Sequence, residues 1–128
     1  MHEFSLVTTL LEQVDTIRRE QNAGSVVSIR VSVGEFSGVE PDLFRNAYEM
    51  LIEETPMRGA ELQMTCEPLR ANCEHCGSDF AIKRFRFECL ECRSRDVTVL
   101  SGEGLVLESI MMEQEEDVGR ISNPSGTV

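Results

Sequence analysis

No run of about 18 apolar residues occurs in the chain, so no membrane-spanning helix is expected. The start, MHEFSLVTTLLEQVDTIRRE, lacks a basic segment leading into a continuous apolar stretch. A secretory leader is not expected either, and the chain reads as soluble and cytoplasmic. Positive charge is scarce: 12 Lys and Arg stand against 23 Asp and Glu, for a formal net charge of −11 and a pI near 4.6. Such a mean field repels phosphate, so neither nucleic acid nor an anionic membrane surface is an expected partner. Histidine is confined to His2 and His75, and no GxxxxGK phosphate loop is present, which argues against an enzyme. At 128 residues the chain is also too short for a large multidomain protein. With 41% hydrophobic residues and nine glycines, however, it has the usual globular proportion and should bury a core.

What is present in strength is a cysteine pattern. Four of the five cysteines form two pairs, Cys73-Glu-His-Cys76 and Cys89-Leu-Glu-Cys92. Two intervening residues let the chain reverse while both sulfurs face one centre, and two such knuckles complete the tetrahedral thiolate shell that Zn(II) prefers. An iron centre of rubredoxin type uses similar knuckles. Two disulfides would require an oxidising compartment, and a redox-active CxxC usually stands alone near a βαβ pattern. Between the pairs, Phe80, Ile82, Phe85 and Phe87 suggest a short hairpin that brings the knuckles together. So short a segment cannot bury enough surface to fold unaided, and metal binding is expected to fold it. A closed four-thiolate shell leaves the metal no open position for catalysis. The fifth cysteine, Cys66, falls on the apolar side of the alternation in Ala60–Cys66 and is expected in the core. His75, inside the first knuckle, either faces water or the sulfurs, or modulates the zinc site by exchanging with a thiolate or sensing acid. Lys83, Arg84, Arg86, Arg93 and Arg95 concentrate positive charge here. Given the overall charge, they read as a solvated face or a docking surface for an acidic protein rather than a nucleic-acid site.

Hydrophobic periodicity supplies the rest. From Phe4 to about Gln21, Leu6, Val7, Leu10, Leu11, Val14 and Ile17 form one helical face. Val27, Ile29, Val31 and Val33 alternate with polar residues, so Val26–Val33 is expected to be a strand. Pro41 and Asp42 suit the start of a helix that carries Leu43, Phe44, Ala47, Met50 and Leu51 and stops before Pro56. Strands Ala60–Cys66 and Leu105–Met112 bracket the cysteine segment. The expected fold is α+β: two helices on a sheet of about three strands, with an inserted zinc-ribbon-like module. On this reading residues 1–68 and 102–116 form the α/β domain and 69–101 the metal module. Residues 117–128 form a disordered tail.

At the start of the chain, the terminal amine of Met1, the deprotonated amide nitrogen and the imidazole of His2, and Glu3 offer donors in fused chelate rings. Nitrogen donors in a plane suit Ni(II) or Cu(II) better than Zn(II), although from the residues alone a solvated histidine carries more weight, and Glu3 could simply complement the helix N-terminus. Met1-His2-Glu3, the strand-turn Val33-Gly34-Glu35 with Ser37-Gly38-Val39-Glu40-Pro41, the paired CxxC knuckles and the late Gly104-Leu105 strand, in that order, resemble the HypA/HybF family over nearly the whole chain. The resemblance implies a nickel metallochaperone for the maturation of nickel–iron hydrogenases, and in some organisms of urease. It implies transient Ni(II) at Met1, His2 and Glu3 and structural Zn(II) at Cys73, Cys76, Cys89 and Cys92. It further implies a nickel-handling GTPase and the hydrogenase large-subunit precursor as partners, and either a monomer or a homodimer. The competing reading is a zinc-stabilised adaptor that binds proteins and delivers no nickel.

Overall fold

A computed structural model describes residues 2–22, 24–113, 120–122, 124 and 126–128. The chain runs α1 (His2–Glu20), β1 (Ser25–Gly34), α2 (Pro41–Ile52), β2 (Glu61–Glu67), β3 (Arg70–Cys73), β4 (Asp79–Ala81), β5 (Val97–Ser101), β6 (Leu105–Glu113), β7 (Arg120–Ser122) and β8 (Gly126–Thr127). The α+β class and the two-helix layer are as expected, and the chain divides its strands between two sheets.

The larger sheet has the order β2-β1-β6-β7, with β8 also on β6. β1 and β2 run parallel because α2 carries the chain across between them, whereas β6 returns antiparallel to β1. Val7, Leu10, Leu11 and Val14 of α1 and Phe44, Ala47, Tyr48 and Ile52 of α2 bury against Ile29, Val31, Leu62, Leu107 and Ile110. Removing each such large side chain from water contributes about 1.5–3 kcal/mol before entropy is counted. The Tyr48 hydroxyl donates to the Ala60 carbonyl at 2.7 Å, which satisfies the one polar atom this residue carries into the core.

Three apolar expectations are corrected here. Val27 is exposed and Val26 buried, because the pairing of β1 with β6 shifts register between Val26 and Ser28 and the extra residue breaks the period-two alternation. On α2, Leu43 and Met50 face solvent, because the buried stripe runs through Phe44, Ala47, Tyr48 and Ile52, one residue round the helix. Cys66 is exposed. Burial fades along edge strand β2 from Leu62 through half-buried Met64 to Cys66, where alternation persists but no layer lies over it.

Part of the expected tail lies within the described residues. Arg120–Ser122 and Gly126–Thr127 are strands on β6, whose outer edge offers unpaired backbone groups to any following segment. Residues 114–119, 123 and 125, which the sequence assigned to the end of the α/β domain and to the tail, lie outside the described residues.

The smaller sheet, order β4-β3-β5, carries the second core of Leu69, Ala71, Cys73, Phe80, Ile82 and Cys89. The hairpin is not between the knuckles. It joins β3 to β4 around the first knuckle, and β5 returns along the other edge of β3. The second knuckle is left in irregular chain: β4 ends at Ala81, and Arg84 and Phe85, with positive φ of 54° and 58°, turn the chain beyond it.

Two linkers join the lobes and pack on the end of β1. The amides of Gly34 and Phe36 donate to the carbonyls of Gly104 and Gly102 at 2.9 and 2.7 Å, and the Glu35 amide donates to Glu67 at 2.9 Å. The backbones approach so closely that a Cβ on Gly34 would lie 2.5 Å from the Gly102 carbonyl oxygen. Phe36 then reaches across to Phe85 and Phe87, with ring centroids 5.3 and 5.7 Å apart.

Candidate metal centres

The four paired cysteines converge. Their sulfur atoms all lie within 4.8 Å of one another, with Cys73 to Cys92 at 3.6 Å and Cys76 to Cys89 at 3.5 Å. A tetrahedron with Zn–S bonds of about 2.3 Å has sulfur–sulfur edges of about 3.8 Å, so the donor set fits such an ion. Each knuckle is built by the same local bonds. The Cys76 amide donates to Cys73 Sγ at 3.4 Å, and the Glu91 and Cys92 amides donate to Cys89 Sγ at 3.3 and 3.5 Å. The turns close through Gly77 N–H to the Cys73 carbonyl at 2.9 Å and Arg93 N–H to the Cys89 carbonyl at 3.0 Å. Both closing residues have positive φ, 80° and 61°.

Thiolates stabilised by amides are the form a metal needs, but four of them this close repel one another. The Ser78 hydroxyl and amide pull the Cys76 thiol down to about 6. At Cys92 the Ser94 amide also lowers the value, yet desolvation and the three neighbouring sulfurs outweigh it and push this thiol up to about 12. A divalent cation removes that conflict, since it lets all four ionise together. Cys73 and Cys89 are buried while Cys76 and Cys92 are exposed, so the cage sits at the lobe's surface with its inner half in the small core. The Glu74 amide donates to the Asp96 carbonyl at 2.9 Å and the Glu74 carboxylate accepts from the Thr98 hydroxyl, which ties the first knuckle to β5. His75 is exposed on this turn.

The second candidate lies at the start of α1. The helix begins at His2, whose side chain is exposed, and Met1 lies outside the described residues. Glu3 is half-buried, and its carboxylate accepts from the Glu40 amide at 3.3 Å. That bond, with Glu3's own amide, holds the Glu3 carboxyl below its ordinary value. Glu40 caps α2, its side chain accepting from the Asp42 amide at 3.1 Å. Thus the N-termini of both helices meet through the Glu40 amide and the Glu3 carboxylate. Sequence reading placed Glu40 only in a turn motif; Pro41 at the first helical position was the signal that marks the residue before it as the cap.

A protein family described as hydrogenase/urease nickel incorporation, metallochaperone, hypA matches residues 1–112. The chain belongs to the HypA family. It is 38% identical over 113 residues to the hydrogenase maturation factor HypA of Aquifex aeolicus (strain VF5), spanning 88% of this chain and 98% of that one. It is 37% identical over 110 residues to the HypA of Nitrosospira multiformis (strain ATCC 25196 / NCIMB 11849 / C 71), spanning 86% and 96%. The fold superposes on the solution structure of the nickel metallochaperone HypA from Helicobacter pylori with a TM-score of 0.69 at 26% identity, covering 88% of this chain and 98% of that one. HypA proteins are metallochaperones of hydrogenase maturation rather than enzymes, and their partners are those of that process. No helix among the described residues is long and apolar enough to cross a membrane.

Proposed function

We propose that this chain binds Ni(II) at its amino terminus and delivers it during maturation of a nickel–iron hydrogenase, and of urease where one is served. The amine of Met1, the amide nitrogen and imidazole of His2, and Glu3 supply the donors. The observation that carries this reading is the placement of exposed His2 in the first turn of α1 with the Glu3 carboxylate beside it. The first amides of a helix have no intrahelical acceptor, so metallating the His2 amide breaks no bond of the α1 ladder. Nitrogen donors in a plane favour nickel over zinc. Such a terminus, open to solvent on the His2 side, gives its cargo to a competing ligand set more readily than a closed cage does.

Cys73, Cys76, Cys89 and Cys92 hold structural Zn(II), which supplies folding energy to the small lobe and stays in place while nickel moves. His75 stands on the solvent side of this cage, outside its four-thiolate shell. The protein works in the cytoplasm, as a monomer or homodimer, with a nickel-handling GTPase and the hydrogenase large-subunit precursor. The test is His2→Ala in protein with a free amino terminus. Nickel uptake should be abolished while one zinc per chain remains; unchanged nickel affinity sinks the assignment and leaves a zinc-stabilised adaptor.

A further inference from the structure

Lys83, Arg84, Arg86 and Arg93 line a cavity of about 460 Å³ on the cysteine-rich lobe. All four cations are exposed, and among the described residues none makes an ion pair or a side-chain hydrogen bond. Elsewhere Arg18 and Arg19 pair with Asp15, Arg58 pairs with Glu53, and Arg30 and Arg45 make side-chain hydrogen bonds, while Arg70 and Arg95 on the same lobe add to its unpaired positive charge. Only one carboxylate, Glu88, shares the wall. Arg84 and Arg93 have positive φ, where glycine is the favoured residue, so two of the four charges stand at positions that backbone geometry alone would not assign to arginine. Leu90, 67% exposed, supplies an apolar part of the wall, and the base reaches buried Cys89.

We propose that this cavity docks a short acidic segment of a partner protein, its carboxylates on the four cations and an apolar side chain on Leu90. This goes beyond the nickel reading, which concerns the start of α1. Charge complementarity selects the occupant. Four unpaired cations against one carboxylate attract an anion, and Arg is suited to carboxylates through bidentate contact. A long polyphosphate is disfavoured, because the chain outside 69–101 has 18 acidic residues and six basic ones and repels whatever extends past the cavity. A peptide of a few residues stays within the positive patch, and its apolar side chain gains what a nucleic acid cannot take from Leu90.

The test uses the full chain and a fluorescein-labelled peptide, DEDLEDE, read by anisotropy at several salt concentrations. Binding should weaken with salt, and weaken further when the peptide's Leu is replaced by Ser. The double variant Arg84→Gly with Arg86→Ser should bind about tenfold less tightly, the sum of two exposed ion pairs. Arg84→Gly relaxes the backbone, so this variant should fold, and its zinc and nickel contents should equal those of the unaltered chain. That equality separates failure here from failure of the nickel reading. Equal peptide binding by the variant overturns the proposal. So does an oligothymidylate that competes as well as the peptide, which would make the cavity a general polyanion site. Self-association lost in the double variant would also overturn it, by assigning the cavity to a second copy of the chain.

Discussion

Gly77 and Arg93 occupy the same place in the two knuckles, each closing its turn by donating to the carbonyl of the first cysteine. Both need a left-handed backbone, yet only one is glycine. A side chain there costs about 1 kcal/mol or somewhat more, because its Cβ crowds the following carbonyl. Gly77→Ala should therefore destabilise the metal-loaded lobe by about 1 kcal/mol and speed metal loss to a chelator. Arg93→Gly should remove that cost and slow the loss, although added freedom in the unfolded chain offsets part of the gain. Release kinetics to a chromogenic chelator check both, and equal rates for the two variants would show that the turns do not limit metal retention. The asymmetry also bears on the proposed docking cavity, since Arg93 keeps a strained turn in exchange for a positive charge on its wall.

Where the linkers cross, elements rather than side chains set the tolerance. Gly102 has φ of 89°, and a Cβ there would sit 2.6 Å from Leu69 Cα and from the Pro68 carbonyl oxygen. Gly59 has a similar φ of 93° but open space around it. Gly59→Ala should cost about 1 kcal/mol from backbone conformation alone, whereas Gly102→Ala adds a backbone clash and should cost about 3 kcal/mol or more. Thermal unfolding of the two variants distinguishes strain at a turn from strain at a crossing of chains; similar midpoints would mean the crossing yields easily. This crossing was invisible in the sequence, where Gly34 and Gly102 read only as turn residues, because it depends on segments nearly seventy residues apart. The knuckles, by contrast, were legible because their geometry is set within five residues. The helices were legible from 3.6-residue periodicity, though Leu43 and Met50 lay one step off the buried stripe. The misplaced hairpin, the Val26 bulge and exposed Cys66 share one cause: strand alternation tells which residues share a face, but not which strand pairs with it or whether anything covers it. At the amino terminus, donor chemistry alone left nickel and a solvated histidine both open, and family resemblance was needed to choose.

At the scale of the whole molecule there are two cores of unequal means. The α/β lobe buries Leu10, Phe44, Ile29, Ile110 and their neighbours over two helices and the larger sheet. In the small lobe the core comprises six buried residues, two of which, Cys73 and Cys89, belong to the sulfur cage. A segment of this size falls below what apolar burial supports without a staple. Structural zinc contributes about 10–16 kcal/mol in small domains, more than the about 5–9 kcal/mol that burying Leu69, Phe80 and Ile82 supplies before entropy is counted. Chelation should then unfold residues 69–101 selectively. Hydrogen exchange should show β3, β4 and β5 losing protection while β1 and β6 keep theirs, and one equivalent of zinc should restore it. Loss of protection in both sheets at the same chelator concentration would mean that the crossing at Gly34 and Gly102 makes one cooperative unit. The loop from Glu35 to Glu40 would decide how far the effect spreads, because Phe36 packs on Phe85 and Phe87 at one end while the Glu40 amide holds Glu3 at the other. Protection of the Glu40 amide is therefore the most informative single signal. If it survives metal removal, the amino-terminal site is independent of the cage; if it falls with β3, these six residues carry the loss across.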